Sequence, residues 1–365
     1  MTKVCHITNV HPQRDIRIFE KECVSLADFG YEVHLVAPGA SCDIKNVQIH
    51  GIGERPTSRK TRMTKYAKKA YEEALKIDAD IYHFHDPELI LYGLKLKQKK
   101  KKVIFDSHEN ILDQFVEKDY IPKWIRVVLN FAFVKCLKYS CRKFDAIVTV
   151  DPCICQKYSL LNENSVIISN YPLIEKIDGV EMQGKYICFA GGISSQWNHE
   201  VIINAIDKID GFKYVLCGKA DELYLEHLKR LPGWKNVDYR GVVDHNEALR
   251  LLRGGIAGIA LCSPSRNTNG KNGTIGNTKL FEIMMCGLPV ICTNFTSWNE
   301  IVKTYDCGYC IEYNNVEQLY LVLRKIIDNP EKARTMGING NNAILKKYNW
   351  NIEAKKLSEL YKKLS

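Results

Sequence analysis

Strand-like apolar runs alternate with amphipathic segments along the whole chain. In the first half these runs are KVCHITNV, YEVHLVA, ADIYHFHD, KKVIFDSH, DAIVTVD and SVIISNYP, with a helix predicted near Ile16–Phe29. The pattern restarts with KYICFAGG, KYVLCGK, VDYRGVV, GIALCS and LPVICT. Buried strands that alternate with helices predict parallel sheets covered on both faces.

Two such series, joined near residues 171–185, predict two doubly wound α/β domains. We assign residues 1–172 to the first domain and residues 173–345 to the second. Residues 346–365 are predicted to form a terminal helix that packs back on the first domain. Ligands of such folds bind at the carboxyl ends of the strands, so the residues just after each strand become the candidates for function.

Composition narrows the class of protein. A chain of 365 residues with 45% hydrophobic and 26% charged residues is typical of a soluble globular protein. It shows neither the signature of a signal peptide nor an apolar run of transmembrane length. Several of the 14 cysteines lie inside strand-like runs, so we predict core residues of a cytoplasmic protein rather than a disulfide framework.

Positive charge is concentrated in one window. The chain carries a net charge of +10, and residues 95–143 alone carry 13 Lys or Arg against 5 acids. Within the window, Trp124, Val128, Phe131, Val134 and Leu137 interleave with basic residues. This pattern favours a basic amphipathic helix at an anionic membrane surface, on the inner face of the membrane. A solvated helix packed on a sheet is the alternative, and no nucleic-acid motif accompanies the charge.

The stretch GNTKLFEIMMCGLPVI predicts a short apolar helix with one acid, Glu282, near its start. Asn277 or Thr278 can cap it, and Gly287 suits a left-handed C-cap. The preceding loop, residues 263–278, is rich in glycine and polar residues and follows a strand. Such a loop at a helix start favours an anion site, to which Lys271 and Lys279 would add charge. One turn further, Glu282 is placed to accept hydrogen bonds from ribose hydroxyls.

Taken together, these segments resemble the retaining glycosyltransferases of family four. The resemblance rests on HPQRDIRIFEKECVSLADFGYEVHLVAPG, HDPEL, FDSHEN, FAGGIS, GNTKLFEIMMCGLPVI and the terminal YNWNIEAKKLSELYKKL. It implies the GT-B fold, in which two Rossmann-like domains face a cleft and a C-terminal helix crosses back to the first domain. By this resemblance Glu282 binds the donor ribose, His108 contacts the transferred sugar, and Gly191 with Gly192 approach the diphosphate.

Three departures from the family pattern affect the donor site. A second glutamate is often found eight residues before the helix glutamate, where this chain has Thr274. ISSQWN, after the second-domain glycine turn, lacks the usual Arg and Lys, and HPQRDIR replaces a glycine-rich loop. Phosphate charge must therefore be neutralised from elsewhere, with Lys219, Lys271, Lys279 or Arg14 as candidates.

The resemblance implies the following roles. Lys219 and Lys279, with the residues Gly276, Asn277 and Thr278, would stabilise the leaving diphosphate, and His108 would position the sugar. Acceptor-side candidates are Arg14, Asp15, Arg17 and Asp86, although charge pairing at a helix start explains the first three equally well. No DxD triplet follows a strand, so we expect transfer without a metal ion, and no cofactor.

We therefore expect a hexosyltransferase-like, retaining enzyme that uses a nucleotide-sugar donor, with UDP as the expected nucleotide. Its acceptor would be a glycan or a lipid-linked sugar of capsule or other surface polysaccharide. Two alternatives remain open. A sugar-nucleotide epimerase would use His108 with Glu109 or Asp86 as acid and base. A non-catalytic nucleotide-sugar-binding protein would bind without turnover. An NAD-dependent oxidoreductase is disfavoured because no GxGxxG opens either sheet.

Overall fold

The computed structural model describes residues 1–107, 123–174 and 184–365, which form two compact units. The first unit contains Met1–Asn170 and Trp350–Ser365, and the second contains Tyr171–Asn349. Each unit is a mainly parallel sheet between helices, which confirms the predicted α/β fold class of two Rossmann-like domains.

The sheet of the first unit has eight described strands in the order β3-β4-β2-β1-β5-β6-β7-β8. Its pairs are parallel, apart from the antiparallel pair of β3 with β4 at one edge. The strands are β1 Lys3–Ile7, β2 Glu32–Ala37, β3 Cys42–Ile44, β4 Val47–Gly51, β5 Ile81–Phe84, β6 Lys102–Ser107, β7 Ala146–Thr149 and β8 Ser165–Ile167.

Helices connect these strands and bury apolar side chains on both sheet faces. They are α1 Val24–Asp28, α2 Arg59–Thr61, α3 Ala67–Ile77, α4 Ile90–Gln98, α5 Lys123–Cys141 and α6 Pro152–Ser159, with π-helical stretches at Ile16–Cys23 and Arg62–Tyr66 and a 3-10 turn at Pro87–Leu89. The helix predicted near Ile16–Phe29 is therefore present, but its first two turns are π-helical. The Asp15 carboxylate caps it by accepting the N–H groups of Arg17 and Ile18, at 2.9 and 3.0 Å.

The second unit has six described parallel strands in the order β11-β10-β9-β12-β13-β14, the doubly wound arrangement of a dinucleotide-type fold. They are β9 Tyr186–Ala190, β10 Lys213–Cys217, β11 Val237–Gly241, β12 Ala257–Ala260, β13 Val290–Thr293 and β14 Gly308–Ile311. Its helices are α7 His199–Ile206, α8 Glu222–Lys229, α9 His245–Arg253, α10 Lys279–Met285, α11 Thr296–Tyr305, α12 Val316–Asp328 and α13 Pro330–Lys346, with 3-10 turns at Ser195–Trp197, Pro232–Asn236 and Gly270–Asn272.

The terminal helix, α14 Trp350–Leu364, packs on the first unit. The indole N–H of Trp350 donates to the Ser25 hydroxyl at 2.9 Å, and the Glu353 carboxylate accepts the N–H of Ser169 at 2.9 Å. Trp350 and Tyr361 are both buried in the core of that unit. These contacts hold α14 against α1 and the segment that follows β8.

The cysteines behave as the sequence predicts. All fourteen are free, and those of the strand-like runs, Cys5, Cys188, Cys217, Cys262 and Cys292, are buried. Cys307 is buried beside β14, and Cys310 lies within that strand. They serve as small core residues of the second unit.

The basic window is helical where the prediction placed a helix, but its side chains divide between core and solvent. Within α5, Leu137 is fully buried whereas Phe131 is 62% exposed. The side chains of Trp124 and Val128 lie outside the described part of the structure. Among the described residues, no helix has both the length and the hydropathy that crossing a bilayer requires.

Candidate functional site

A polar cavity of about 360 Å³ lies at the carboxyl ends of β9 and β10 in the second unit. Its lining comes from the turns after these two strands, from α9 and from the start of α10: Ala190, Gly191, Cys217, Gly218, Lys219, Val243, His245, Ala248, Leu249, Leu252, Thr278, Lys279 and Glu282. A larger cavity of about 570 Å³ lies before the same strands, where Lys185 precedes β9 and Phe212 precedes β10. Doubly wound folds bind ligands at the carboxyl edge, so the smaller cavity is the candidate site.

Two glycine turns bring the backbone close to this cavity. Gly191 and Gly218 have φ of +148° and +137°, where residues with a side chain are strained. A Cβ on Gly218 would overlap the carbonyl of Gly191. The two turns are also hydrogen-bonded, since Gly191 N–H donates to Cys217 O at 2.9 Å and Ile193 N–H donates to Lys219 O at 2.8 Å. Glycine is therefore required for the strand ends to meet and to leave backbone exposed to a ligand.

Lys279 places a cation directly at the first of these turns. Its ammonium donates to Ala190 O at 2.6 Å and lies 4.6 and 5.1 Å from the ring centroids of Phe189 and Trp197. Burial lowers the pKa of Lys279, and the nearby Glu282 carboxylate partly opposes that shift. A half-buried ammonium beside exposed glycine backbone suits an anionic ligand.

Glu282 lies one helical turn after Lys279 and also lines the cavity. An i, i+3 ion pair with Lys279 would have explained it structurally. The Lys279 ammonium instead donates to Ala190 O, and within the described part of the chain the Glu282 carboxylate has no protein hydrogen-bond partner. An acid at the wall of a polar cavity with no protein partner can accept hydrogen bonds from a ligand.

Side chains of the loop before α10 accept hydrogen bonds from two of the backbone N–H groups there, so these N–H groups do not face a ligand. The Thr274 hydroxyl accepts the N–H of Gly276 at 3.0 Å, and Asn277 Oδ1 accepts the N–H of Lys279 at 3.0 Å. The indole N–H of Trp298 donates to Thr274 O at 2.8 Å. Asn277 thus caps the helix start, and Gly287, with φ of +71°, confirms the predicted left-handed C-cap.

The structure brings together part of the predicted donor set. Gly191, Lys219, Thr278, Lys279 and Glu282 line one cavity. Gly192, Thr274, Gly276, Asn277 and the exposed Lys271 are not among its lining residues. The expectation that the amide of Gly276 contacts phosphate is corrected, because that N–H is already donated to Thr274.

His245 was missed by the sequence analysis although it lines the cavity at the start of α9. It follows the strand-like run VDYRGVV by one residue. The rule that selects residues after strands would have found it, had it been applied to this strand as well.

Arg17 does not fit its predicted acceptor-side role. Its side chain is 4% exposed, and the guanidinium donates to both carboxylate oxygens of Asp106 at 3.0–3.2 Å and to Ile168 O at 3.0 Å. All of this is internal to the first unit. Arg17 is a buried structural cation that is paired with distant Asp106 and with Glu22, so neither the acceptor-side role nor charge pairing at the helix start describes it.

The other first-unit candidates differ in accessibility. Arg14 is exposed. The Asp86 carboxylate is buried and accepts the Thr8 hydroxyl and the Asn9 N–H, both at 2.7 Å, and burial raises its pKa. His11 lies between two acids, 3.4 Å from Asp15 and 3.6 Å from Asp86. Burial lowers the pKa of His11, but these carboxylates outweigh it and the pKa is raised. His108 and Glu109 lie outside the described residues.

Comparisons with known proteins agree with this arrangement. The family model for glycosyl transferases group 1 matches residues 171–343, and the model for glycosyltransferase family 4 matches residues 22–170. An uncharacterized glycosyltransferase, MJ1069, of Methanocaldococcus jannaschii is 23% identical over 79% of this chain and 76% of its own.

Solved structures show the same fold. Sucrose-phosphate synthase from Thermosynechococcus elongatus superposes with a TM-score of 0.77 at 14% identity, over 100% of this chain and 99% of that one. HepE of Anabaena, in complex with UDP and glucose, gives a TM-score of 0.72 at 11% identity over 100% of both chains.

Proposed function

Because this chain is a glycosyltransferase of the family-four type, with the GT-B fold and a role in sugar transfer, we propose that it uses a nucleoside-diphosphate sugar as donor. The acceptor is a glycan or a lipid-linked sugar of polysaccharide biosynthesis. The observation that carries the proposal is the cavity of the second unit, where Lys279 and Glu282 face the glycine turn at Gly191.

We assign to Lys279 the positive charge that neutralises the diphosphate, because the Arg and Lys usual in the family are absent here. The segment after the glycine turn contains no Arg or Lys, but Lys279 places its ammonium 2.6 Å from Ala190 O, beside that turn. A diphosphate in the cavity would accept hydrogen bonds from this cation, with Lys219 contributing from the exposed rim. Groups fixed where negative charge develops on the leaving phosphate are the main source of rate enhancement in such transfers.

Glu282 is assigned to the ribose. Its carboxylate accepts hydrogen bonds only, which suits a pair of neighbouring hydroxyl donors. Thr278, the residue just before the same helix, lies between the ribose and phosphate positions in this scheme. The nucleotide in the HepE complex is UDP, which supports UDP as the donor nucleotide here.

Transfer is proposed to retain the anomeric configuration and to need no metal ion at the diphosphate. The acceptor side is assigned to the first unit, through Arg14 and Asp86, and His108 is assigned to the transferred sugar. His108→Ala is then expected to reduce turnover far more than it reduces affinity for the bare nucleoside diphosphate.

A thermal-shift panel tests the proposal first, using UDP, GDP, ADP and their hexose conjugates. We expect one base to stabilise the protein, and release of that nucleotide from its sugar conjugate only when an acceptor is added. Consumption of the nucleotide sugar without any acceptor would instead identify an epimerase. Tight binding without turnover on any acceptor would identify a binding protein.

A further inference from the structure

A second group of polar side chains lies in the core of the first unit and has no part in the proposed transfer. Three histidines and a glutamate, His6, His83, His85 and Glu22, come from β1, from β5 and its extension, and from the π-helical stretch Ile16–Cys23. Their side chains are fully buried. The ring nitrogens and carboxylate oxygens of the four residues that could bind a metal lie within 4.8 Å of one another.

Sheet register explains why the imidazoles meet. His6 and His83 are paired residues on neighbouring parallel strands, so their side chains stand side by side. His85 is two residues further along and therefore points to the same face. The ring centroids are 4.6 to 5.2 Å apart. A core that needed only apolar packing would not place three imidazoles at these positions.

The distances in the cluster suit a transition-metal ion. His6 Nδ1 lies 3.0 Å from His85 Nε2, and each of these nitrogens lies 3.8 Å from Glu22 Oε2. A point equidistant from the three atoms is about 2.1 Å from each, which matches zinc–nitrogen and zinc–oxygen bond lengths. His83 completes a fourth corner of the group.

Part of the cluster lacks the hydrogen bonds that buried polar atoms require. Within the described part of the chain, His83 Nε2 and both oxygens of Glu22 lack a hydrogen bond of good geometry, although Arg17 Nε forms an ion pair with Oε1 at 3.1 Å and the Asp106 carboxyl group lies beside Glu22. Leaving such atoms unsatisfied in a core is costly. The unsatisfied nitrogen belongs to the same group as the Glu22 oxygen that faces His6 and His85.

The outward-facing ring nitrogens are held in the way that metal-binding histidines usually are. His83 Nδ1 and His6 Nε2 lie 2.8 and 3.1 Å from the Tyr361 hydroxyl. His85 Nδ1 lies 3.4 Å from Asp106 Oδ2. His6 and His85 therefore each have one nitrogen oriented by an outer group and the other directed into the cluster, whereas His83 is held through Nδ1 and its Nε2 lies 3.9 Å from Asp106 Oδ2.

We propose that His6, His83, His85 and Glu22 bind one divalent transition-metal ion, with zinc the best match. Three imidazoles and one carboxylate favour zinc or cobalt over magnesium or calcium, which prefer oxygen ligands. Four protein ligands leave no open position, so the ion is structural and takes no part in sugar transfer. It would join β1, β5 and the π-helical stretch, with α14 attached through Tyr361.

The protonation states agree with this assignment. Burial lowers the pKa of His6 and of His83 well below the usual range, which keeps both rings in the neutral form that binds metals. Burial and the neighbouring Asp106 carboxylate raise the pKa of Glu22 well above its usual range, and a divalent cation bound beside Glu22 would favour its ionised form.

The test compares wild type with Glu22→Gln and His83→Gln, all expressed without a polyhistidine tag in zinc- or cobalt-supplemented medium. Gln matches Glu in size and shape but lacks the anionic ligand, so Glu22→Gln should fold whether or not an ion is bound. His50→Gln is the matched control, since His50 shares a 3.0 Å hydrogen bond with His34 elsewhere in the same unit. Metal content is measured by mass spectrometry, and coordination by the visible spectrum of the cobalt form.

We expect about one ion per chain in wild type and in the control, with cobalt bands typical of nitrogen and oxygen ligands and no thiolate charge transfer. In both glutamine variants the metal content per chain should fall at least tenfold. Adding zinc to wild type stripped with a chelator should raise its unfolding midpoint by about 5 °C at a hundredfold excess over the dissociation constant. Wild type without stoichiometric metal and without this shift would overturn the proposal. Glu22→Gln that retains the full metal content would overturn it equally, because the ion would then lie elsewhere.

Discussion

Lys279 and Glu282 lie on one face of a short helix, but only Lys279 is held by contacts within the protein. The Lys279 ammonium donates to Ala190 O and faces two aromatic rings, and such cation–π contacts contribute about 0.5–2 kcal/mol each. Glu282 has no comparable protein partner. The lysine is therefore fixed in place before a donor arrives, whereas the glutamate is ready to bind one.

Replacing Lys279 tests whether this cation holds the diphosphate. Lys279→Met should weaken binding of the preferred nucleoside diphosphate by about 1.5–3 kcal/mol, the usual loss for a charge-assisted hydrogen bond. Lys271→Met is the control, since Lys271 is exposed and outside the cavity. Calorimetry that finds equal losses in the two variants would contradict the assignment.

The same residue predicts a pH dependence. Because the pKa of Lys279 is lowered, its charge is lost at a lower pH than in an ordinary lysine. Diphosphate affinity should therefore be highest below this pKa and fall as the pH rises through it. An affinity in Lys279→Met that is low and independent of alkaline pH would support the account. An alkaline loss that persists unchanged in this variant would contradict it.

Glu282 and Arg17 show which residue roles can be predicted from sequence. Glu282 was identified because a helix with apolar neighbours gives an acid no obvious structural reason to be there. Arg17 was misassigned because nothing local reveals that Asp106, 89 residues later, accepts its hydrogen bonds. The histidine cluster depends on the same kind of long-range register, so sequence spacing alone could not predict it.

At the scale of elements, the two glycine turns decide whether the donor cavity exists. Gly218→Ala should destabilise the second unit by about 1–3 kcal/mol, because its Cβ would overlap the carbonyl of Gly191 and the backbone is already strained. Gly211→Ala is the control. It has φ of +67° but open space around the added carbon, so only backbone strain applies.

Chemical denaturation of the two variants measures this difference, and nucleotide affinity of the folded fraction should fall in Gly218→Ala alone. If both substitutions cost the same and spare binding, the turn is not a ligand-contact element.

Elements were predicted best where apolar runs are long and central. The strands around β1 and β9 follow from such runs, and so do the helices between them. β3, β4 and β14 were not predicted: β3 has only three residues, polar residues interrupt the apolar run of β4, and β14 begins at a glycine, which is disfavoured in strands. The π-helical stretch at Ile16–Cys23 was predicted only as a helix, because π-helices are rare and eight residues give only about two turns of pattern to compare.

At the scale of the whole molecule, the basic window of residues 95–143 raises the question of whether the protein binds a membrane surface. Some of the lysines in this window form ion pairs within the protein. The Lys97 ammonium lies 2.6 Å from the Asp145 carboxylate, and the Lys101 ammonium lies 2.7 Å from that of Asp78. Lys99 and Lys100 are exposed and form no ion pair within the described part of the chain. These two lysines, together with exposed Phe131, are the strongest described candidates for a bilayer contact.

The double variant Lys99→Gln, Lys100→Gln should weaken binding to anionic liposomes, at roughly 1 kcal/mol per lysine close to the surface. Lys60→Gln, Lys65→Gln removes the same charge from exposed positions outside the window and should have little effect. Sedimentation at low and high salt measures both, and wild-type binding should decline as salt screens the attraction. If wild type mixed with anionic liposomes stays in the supernatant at low salt, the basic window of residues 95–143 is only a solvated surface.

The assignment of Glu282 to the donor ribose is tested most directly by a calorimetric cycle. Wild type and Glu282→Gln are each titrated with the preferred nucleoside diphosphate and with its 2′-deoxy form, and Glu300→Gln, on an exposed site of α11, serves as control. We predict that wild type and the control lose about 1–3 kcal/mol when the hydroxyl is removed, whereas Glu282→Gln loses almost nothing further. Equal binding of both nucleotides by wild type, or full discrimination retained by Glu282→Gln, would contradict the account.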